Sequence, residues 1–344
     1  MASVRILPDF ATLRAALPRL DESSSGRGSL FQSLAWFENL YAHGLNPASP
    51  LLLAADEQGC LPLLDEGDRI CGLANYYSSL FGPIGTLPAS MDIAFQLAKR
   101  AQIDLHPLDA QTPGFQQLKQ ALTTAGYWVD DYFCFGNWYL EVTGRSYAVY
   151  LAERNSQLRN TLQRGKSKLD KAGRWDIWIQ QQADAGLEDA ITAFTSVYAK
   201  SWKQAEPQTD FIPNLCRTAA RQGWLRLGIL RLDGVPLAAQ LWLVHKGTAS
   251  IYKLAYDETA SAYSAGTVLT AAMFEQALDR DQVSEVDYLN GDEPYKRDWM
   301  SHRRERRGII AFDLSQWAGM RAAARHWGGN LLRRLRRTET QPRP

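Results

Sequence analysis

WLRLGILRLDGVPLAAQLWLVHKGTASIYKLAYD, residues 224–257, reads as three strands joined by two tight turns. Leu225, Leu227 and Ile229 alternate before Asp233-Gly234, and Leu237, Ala239, Leu241 and Leu243 alternate before Lys246-Gly247. A third alternating run covers residues 251–256. Asp-Gly between such runs is a strong hairpin signal, because both turn residues must accept positive φ. Residues 264–280 then place Val268, Leu269, Ala272, Met273 and Ala277 on one helical face. VDYLNGDEPYKRDW, residues 286–299, opens with a further short strand. The expected order is a three-strand meander, one helix and a returning strand.

The chain around this run has 344 residues, a length that suits two domains. It is 45% hydrophobic and 22% charged, a balance that buries a full core. No apolar run is long enough to span a bilayer, and residues 1–17 hold Asp9 and no apolar signal stretch, so a cytoplasmic location is expected. Cys60, Cys71, Cys134 and Cys216 lack CxxC spacing and read as free thiols of a reducing compartment. The formal net charge of +1 hides an asymmetry. Residues 154–174 hold seven basic groups against one acid, and residues 303–344 hold eleven against three. Two basic patches on an acidic body suit phosphates, nucleotides or lipid headgroups, and would equally arise from solvated helix faces.

Two halves share an element order. The first, residues 1–145, runs from strand VRILPD and helix ATLRAALPRL to the helical FQSLAWFENLYAHG, residues 31–44. A hairpin LLLAAD/CLPLLDEG, strand AQIDLHPLD, helix FQQLKQALTTAG and strand YFCFGNWYLEV follow. The second, residues 146–314, runs from a basic helix through strand WDIWIQ and helix LEDAITAFTSVYAKSWKQ to the meander. In that helix Leu187, Ile191, Phe194, Val197 and Trp202 form an apolar stripe. A tandem duplication in an α+β fold is expected, with residues 315–344 as a basic amphipathic tail.

GxSxG, GxxxxGK[ST], HExxH and GxGxxG after a strand are all absent. His43, His106, His245, His302 and His326 are too isolated to suggest a metal site, and none is expected. Two segments remain. Tyr263-Ser264-Ala265-Gly266-Thr267-Val268 opens the helix after the meander. Gly266 permits close backbone approach, Ser264 or Thr267 can cap the helix or contact a phosphate, and the helix dipole favours an anion. An ordinary capped helix start would look the same. Asn290-Gly291-Asp292-Glu293-Pro294-Tyr295-Lys296 gathers two carboxylates, a phenol and an amine directly after a strand. A polar surface loop would look similar, but ligands of open α/β sheets bind at such strand ends.

RNTLQRGKSKLDKAG (159–173), SWKQ (201–204), GWLRLGILRLDGVPLAAQLWLV (223–244), SAGTVL (264–269) and DYLNGDEPYKRDW (287–299) together carry a resemblance. With FQSLAWFENL (31–40) and YYSSLFGPIG (76–85), they resemble the acetyltransferases associated with bacterial cellulose and exopolysaccharide synthesis (CelD-type), within the GNAT superfamily. The resemblance implies tandem GNAT-like domains. It implies an N- or O-acyltransferase moving an acyl group from acetyl-CoA or another acyl-CoA to a polysaccharide precursor or other small polar acceptor. It implies that Tyr263, Ser264, Ala265, Gly266, Thr267 and Val268 hold the CoA pyrophosphate. Asp292 or Glu293 would then accept a proton, Tyr295 donate to the leaving thiolate and Lys296 clamp an anion, with Trp202, Lys203, Asp287 and Arg159 contacting substrate. The chain departs from the superfamily at Tyr263, where Gln or Arg often stands three residues before the first glycine of the phosphate loop. Kinship to Fem-type transferases, which use aminoacyl-tRNA, is the alternative implied. A catalytically inactive scaffold of a membrane polysaccharide synthase is a third reading, of another class.

The basic helix pairs inward-facing Leu158, Leu162 and Leu169 with Arg154, Arg159, Arg164, Lys166, Lys168 and Lys171. Such a face suits the 3′-phosphate of CoA, a sugar nucleotide or a tRNA end, or plain solvent. In the tail, Trp317, Met320, Trp327, Leu331 and Leu335 fall near one side among Arg321, Arg325, Arg333, Arg334, Arg336 and Arg337. That pattern fits peripheral contact with an anionic membrane by a helix that the fold does not need.

Overall fold

Alternation and turn chemistry act here as read. In the computed structural model, which describes residues 4–20, 28–45 and 49–339, with side chains through residue 329, both turns take left-handed φ: 50° and 81° at Asp233-Gly234, 46° and 78° at Lys246-Gly247. The chain begins with β1 (Arg5–Leu7), α1 (Phe10–Ala16), α2 (Leu34–His43), β2 (Leu51–Ala55), β3 (Gly59–Asp65), β4 (Arg69–Gly72) and β5 (Ile84–Gly85). Next come α3 (Met91–Leu97), β6 (Gln102–Asp109), α4 (Pro113–Thr124), β7 (Trp128–Glu141), α5 (Tyr147–Ala152) and α6 (Ser156–Ala172). β8 (Trp175–Gln180), α7 (Leu187–Ala199) and α8 (Phe211–Arg221) lead to the meander of β9 (Leu225–Leu232), β10 (Val235–His245) and β11 (Thr248–Tyr256). α9 (Ala265–Glu275), β12 (Glu285–Asn290), α10 (Lys296–Trp299), β13 (His302–Phe312) and α11 (Trp317–Glu339) follow.

Two compact units divide the chain, residues 1–25, 47–134 and 305–344 in one, residues 26–46 and 135–304 in the other. The first unit orders its strands β1-β2-β3-β4-β6-β13, antiparallel throughout except for β4 beside β6 (Arg69↔Gln102). The second orders them β8-β9-β10-β11-β12-β7, again with one parallel step, β11 beside β12 (Thr248↔Glu285). Each unit is therefore an antiparallel run, a parallel step reached through a helix, and a closing antiparallel strand. The α+β class and the repeated plan are as expected.

The closing strands are not where the repeat suggests. β7 follows β6 in the chain but pairs with β12 (Glu285↔Glu141), and β13 follows β12 but pairs with β6 (Phe312↔Gln102). The units consequently interleave, so the division expected at residues 145/146 differs from the boundaries observed. α2, read with the first half, belongs to the second unit, where Trp36 is fully buried and meets Phe211 of α8 edge-on at 5.9 Å.

The second unit's core joins Val268, Leu269, Met273 and Phe274 of α9 to Trp242, Ile251 and the inward leucines of α6, Leu158, Leu162 and Leu169. Phe274 lies between two near-parallel rings, Tyr150 at 4.9 Å and Trp299 at 5.0 Å. Each such buried side chain contributes about 1.5–3 kcal/mol. These contacts fix where α9 begins.

The tail is corrected by the structure. Ala322 and Ala323 of α11 are buried with Ile310 and Phe312, Trp327 meets Trp128 at 4.9 Å, and His326 bonds Asp130 at 2.8 Å. Small alanines let this helix lie close on the first unit, so its initial turns are part of the fold. Leu331, Leu335, Arg333, Arg334, Arg336 and Arg337 lie outside the described side chains. Four arginines of the basic end belong instead to β13 and meet acids: Arg303–Asp292 and Arg304–Asp287 in the second unit, Arg306–Asp109 and Arg307–Asp131 in the first, each at 2.6 Å. Among the described residues, no helix is long and apolar enough to cross a membrane.

Candidate active site

β11 and β12 pair only over residues 248–250 and 285–287, and beyond Ser250↔Asp287 they part. Local irregularities accompany the split. Against β10 the register passes from Leu241↔Lys253 to Trp242↔Ile251, so β11 carries one inserted residue, Tyr252. Such a bulge bends the strand and re-aims its side chains. β12 turns at Leu289, whose φ of 57° is left-handed and whose amide donates to Asp287 Oδ1 at 2.7 Å. The result is a wedge at the carboxyl ends of two parallel strands, where open sheets bind ligands.

α9 starts at the mouth of this wedge. Ser264 takes φ 52° and ψ 36°, and its side chain makes no capping bond. Helix geometry leaves the amides of Ala265, Gly266 and Thr267 without intrahelical acceptors at the positive end of the dipole, a ready anion site. A Cβ on Gly266 would lie 3.3 Å from Tyr256 Cδ1, so glycine keeps the approach open. α6 braces the same loop from behind. A Cβ on Gly165 would lie 2.9 Å from the Tyr263 carbonyl and 3.0 Å from Val268, and Lys168 Nζ donates to the Ala262 carbonyl at 2.8 Å. Beyond this brace, Arg164, Lys168 and Lys171 with Gln157, Asn160 and Ser167 line an open groove of about 780 Å³ along α6. Arg159, on the same helix, is exposed and is not one of the groove's lining residues.

The loop after β12 is held by ion pairs. Asp292 accepts two bonds from Arg303, at 2.9 and 2.6 Å, and one from Trp138 Nε1 at 2.8 Å. The Arg303 bond, then that from Trp138, holds its carboxyl below the usual range despite slight burial. Gly136 admits this arrangement, since a Cβ there would lie 2.5 Å from Asp292 Oδ2. Glu293 pairs with Lys296 at 2.9 Å, and although burial pushes its carboxyl up, that pairing holds it low. Lys296 is 4% exposed and also donates to the Asn290 and Gly291 carbonyls, with its Nζ 5.2 Å from the Tyr288 ring centroid. Its donors are therefore spent on shaping the turn rather than on clamping an anion. Tyr295 packs edge-on against Tyr288 at 5.7 Å, and burial of its hydroxyl, then the charge of Glu293, pushes the phenol up to about 12.

Asp287 is likewise turned away from the wedge. It accepts from Asn137 Nδ2 at 2.5 Å and from Arg304 at 2.6 Å, in a buried network that secures β12 against β7. Trp202, read as the end of the α7 stripe, lies beyond the helix end at Ala199 and is 46% exposed. Its ring rests on Tyr256 at 4.6 Å, and Lys203 Nζ lies 5.2 Å from it. Burial, then the charge of Lys253, holds the Lys203 amine below its ordinary value, with Glu293, Lys296 and Glu206 also within its field. Thus Trp202, Lys203, residues 263–268 and the loop at 292–296 are brought together, whereas Asp287 and Arg159 are not. Tyr252, Lys253, Arg303 and Glu206 escaped the sequence reading. Arg303 sits in a charged run, and a bulge leaves no mark in simple alternation. Among the described residues, no group of three or more His, Cys, Asp and Glu could hold a metal.

Residues 156–297, which span the whole wedge, match the family model of the acetyltransferase (GNAT) domain. No curated protein matches the sequence. Similar solved structures include FemX, at 10% identity and TM-score 0.56 over 89% of this chain and 96% of that one. L-PGS from Bacillus licheniformis is 10% identical, with TM-score 0.55 over 90% of this chain and 93% of its own. A tandem GNAT protein from the clavulanic acid biosynthesis pathway is 12% identical, with TM-score 0.50 over 89% and 98%. At these identities the likeness is one of fold, and it extends the tandem GNAT-like plan to both units.

Proposed function

We propose that the second unit transfers an acyl group from an acyl-CoA to a small polar acceptor, of which a polysaccharide precursor is the kind the resemblance implies. The observation that carries this is the wedge between β11 and β12 with the uncapped start of α9 at its mouth. The amides of Ala265, Gly266 and Thr267 would hold the pyrophosphate, and the parted strands leave room for an extended thioester arm. An acceptor amine or hydroxyl entering past Trp202 attacks the thioester carbonyl, the new C–N or C–O bond forms as the C–S bond breaks, and the proton it sheds returns through solvent to the group that protonates the departing thiolate. Tyr295, neutral at ordinary pH, is the group suited to donate to that thiolate. Asp292 and Glu293, ion-paired and held low, are weak bases and serve the shape of the loop. Calorimetry with acetyl-CoA and longer acyl-CoAs tests the donor, with micromolar to millimolar binding expected and none refuting it.

A second reading, aminoacyl-tRNA as donor, is favoured by one observation, the basic groove along α6 beside the donor loop. Phosphate contacts from Arg164, Lys168 and Lys171 would make such binding steeply salt-dependent. Charged tRNA binding in the absence of any acyl-CoA binding would select it.

A further inference from the structure

α11 buries one side against the first unit and holds the other in water. Ala322 and Ala323 pack on Ile310 and Phe312, and His326 is tied to Asp130. At about 100° per residue, Trp317 falls opposite that packed side, with Met320 on one flank and Arg321 and Arg325 on the other. All four are exposed, Trp317 at 69% and Met320 at 40%, so neither apolar side chain is spent on the fold. Two more apolar side chains come from adjoining segments. Leu314 stands 39% exposed in the turn before the helix, and Leu97, 70% exposed, ends α3. The chain after α3 is stitched to this turn, since the Asp313 amide donates to the Ala101 carbonyl at 3.0 Å and Lys99 pairs with Asp313 at 3.2 Å. The Asp313 carboxylate also accepts from the Ser315 amide at 3.0 Å, the Ser315 hydroxyl at 2.6 Å and Gln316 Nε2 at 2.8 Å. Large apolar groups are thus displayed by a braced turn and a packed helix, and apolar groups gathered so at a surface mark an interaction site.

The charges choose the partner. Arg321 and Arg325 pair with no acid among the described residues, unlike the four arginines of β13. A second copy docked twofold on the same face would set these arginines against themselves, which disfavours self-association there. Trp and Met beside unpaired arginines are instead the make-up of a helix that lies in a lipid interface. LLRRLRR, residues 331–337, continues that composition along α11. We propose that this face of the first unit seats the protein on an anionic bilayer. Trp317, Met320, Leu314 and Leu97 enter the interface, while Arg321 and Arg325 meet lipid phosphates. The contact is made by the folded, packed part of the helix, and it does not depend on the acyl-transfer reading.

Co-sedimentation of the full chain with vesicles tests this, using phosphatidylcholine alone and phosphatidylcholine with about one part in four phosphatidylglycerol. The protein should sediment with the anionic vesicles at low salt, scarcely with the neutral ones, and be released at high salt. Partitioning should fall about tenfold when Trp317→Ser and Met320→Ser are combined, and about tenfold when Arg321→Gln and Arg325→Gln are combined. If either pair spoils the cooperative melt, Leu97→Ser, on another element, reads the same face and should weaken partitioning about threefold. Absence of binding to both vesicles, binding that ignores lipid charge, or equal binding of wild type and folded variants would overturn the proposal. A dimer that the Trp317→Ser, Met320→Ser protein converts to monomer, with vesicle binding unchanged, would assign the face to a second copy. Binding lost on replacing Arg333, Arg334, Arg336 and Arg337 by Gln, but kept in the Trp317→Ser, Met320→Ser protein, would move the contact to residues 331–337 and equally refute it.

Discussion

Lys296 shows how a side chain's chemistry is decided by what it already holds. Its ammonium donates to two backbone carbonyls and Glu293 while almost wholly buried. Lys296→Met should therefore destabilise the protein by about 2–4 kcal/mol, since two carbonyls and a carboxylate lose their donor. Urea denaturation measures this, and an unchanged midpoint with a raised acceptor KM would restore the anion-clamp role. Asp313 makes a second residue-scale case. Burial pushes its carboxyl up, but bonds from Ser315, Gln316 and Lys99 outweigh this and hold it at about 2. A depressed carboxyl contributes stability above its unfolded pKa and loses it as pH falls through the folded value. The contribution, about 2 kcal/mol, should be full above pH ~5 and fade toward pH ~2. Asp313→Asn should flatten that part of the stability–pH curve. Sequence exposed the residue types at 292–296 but not their partners, because Arg303 and Trp138 come from other strands that only the fold brings near.

At the scale of elements, the hairpins of the meander were legible because turn φ and alternation agree. β13 was not, because Arg303, Arg304, Arg306 and Arg307 mask a strand whose charges are met by acids on neighbouring elements. The Trp and Leu spacing of α11 suggests a free amphipathic helix, yet its packed face includes Ala322 and Ala323. Ala323→Asp places a charge against Ile310 and Phe312 and should cost about 3 kcal/mol or more. A thermal melt of that variant checks the packing, and a change below ~0.5 kcal/mol would return the helix to a dispensable tail.

For the whole molecule, the decisive feature is the placing of the closing strands. Residues 1–145 include β7 but lack β13, and residues 146–344 include β13 but lack β7. Neither half expressed alone contains every strand of either unit, so neither should show a cooperative transition, which circular dichroism during urea titration would reveal. A cooperative melt of either half alone would contradict the strand assignment. The repeated plan was legible as element order, but which strand closes which sheet was not, since β6 and β12 offer similar edges and no local signal chooses between them.

In the proposed reaction the amides at the start of α9 hold the phosphates of an acyl-CoA donor. Calorimetry of acetyl-CoA against the wild type and Gly266→Val tests it most directly. A side chain at residue 266 would crowd Tyr256 and block backbone approach, so the variant should fold normally while binding weakens by about 1–3 kcal/mol, roughly five- to 150-fold. Equal affinity in the two proteins, or no affinity in either, would contradict phosphate binding at this helix start.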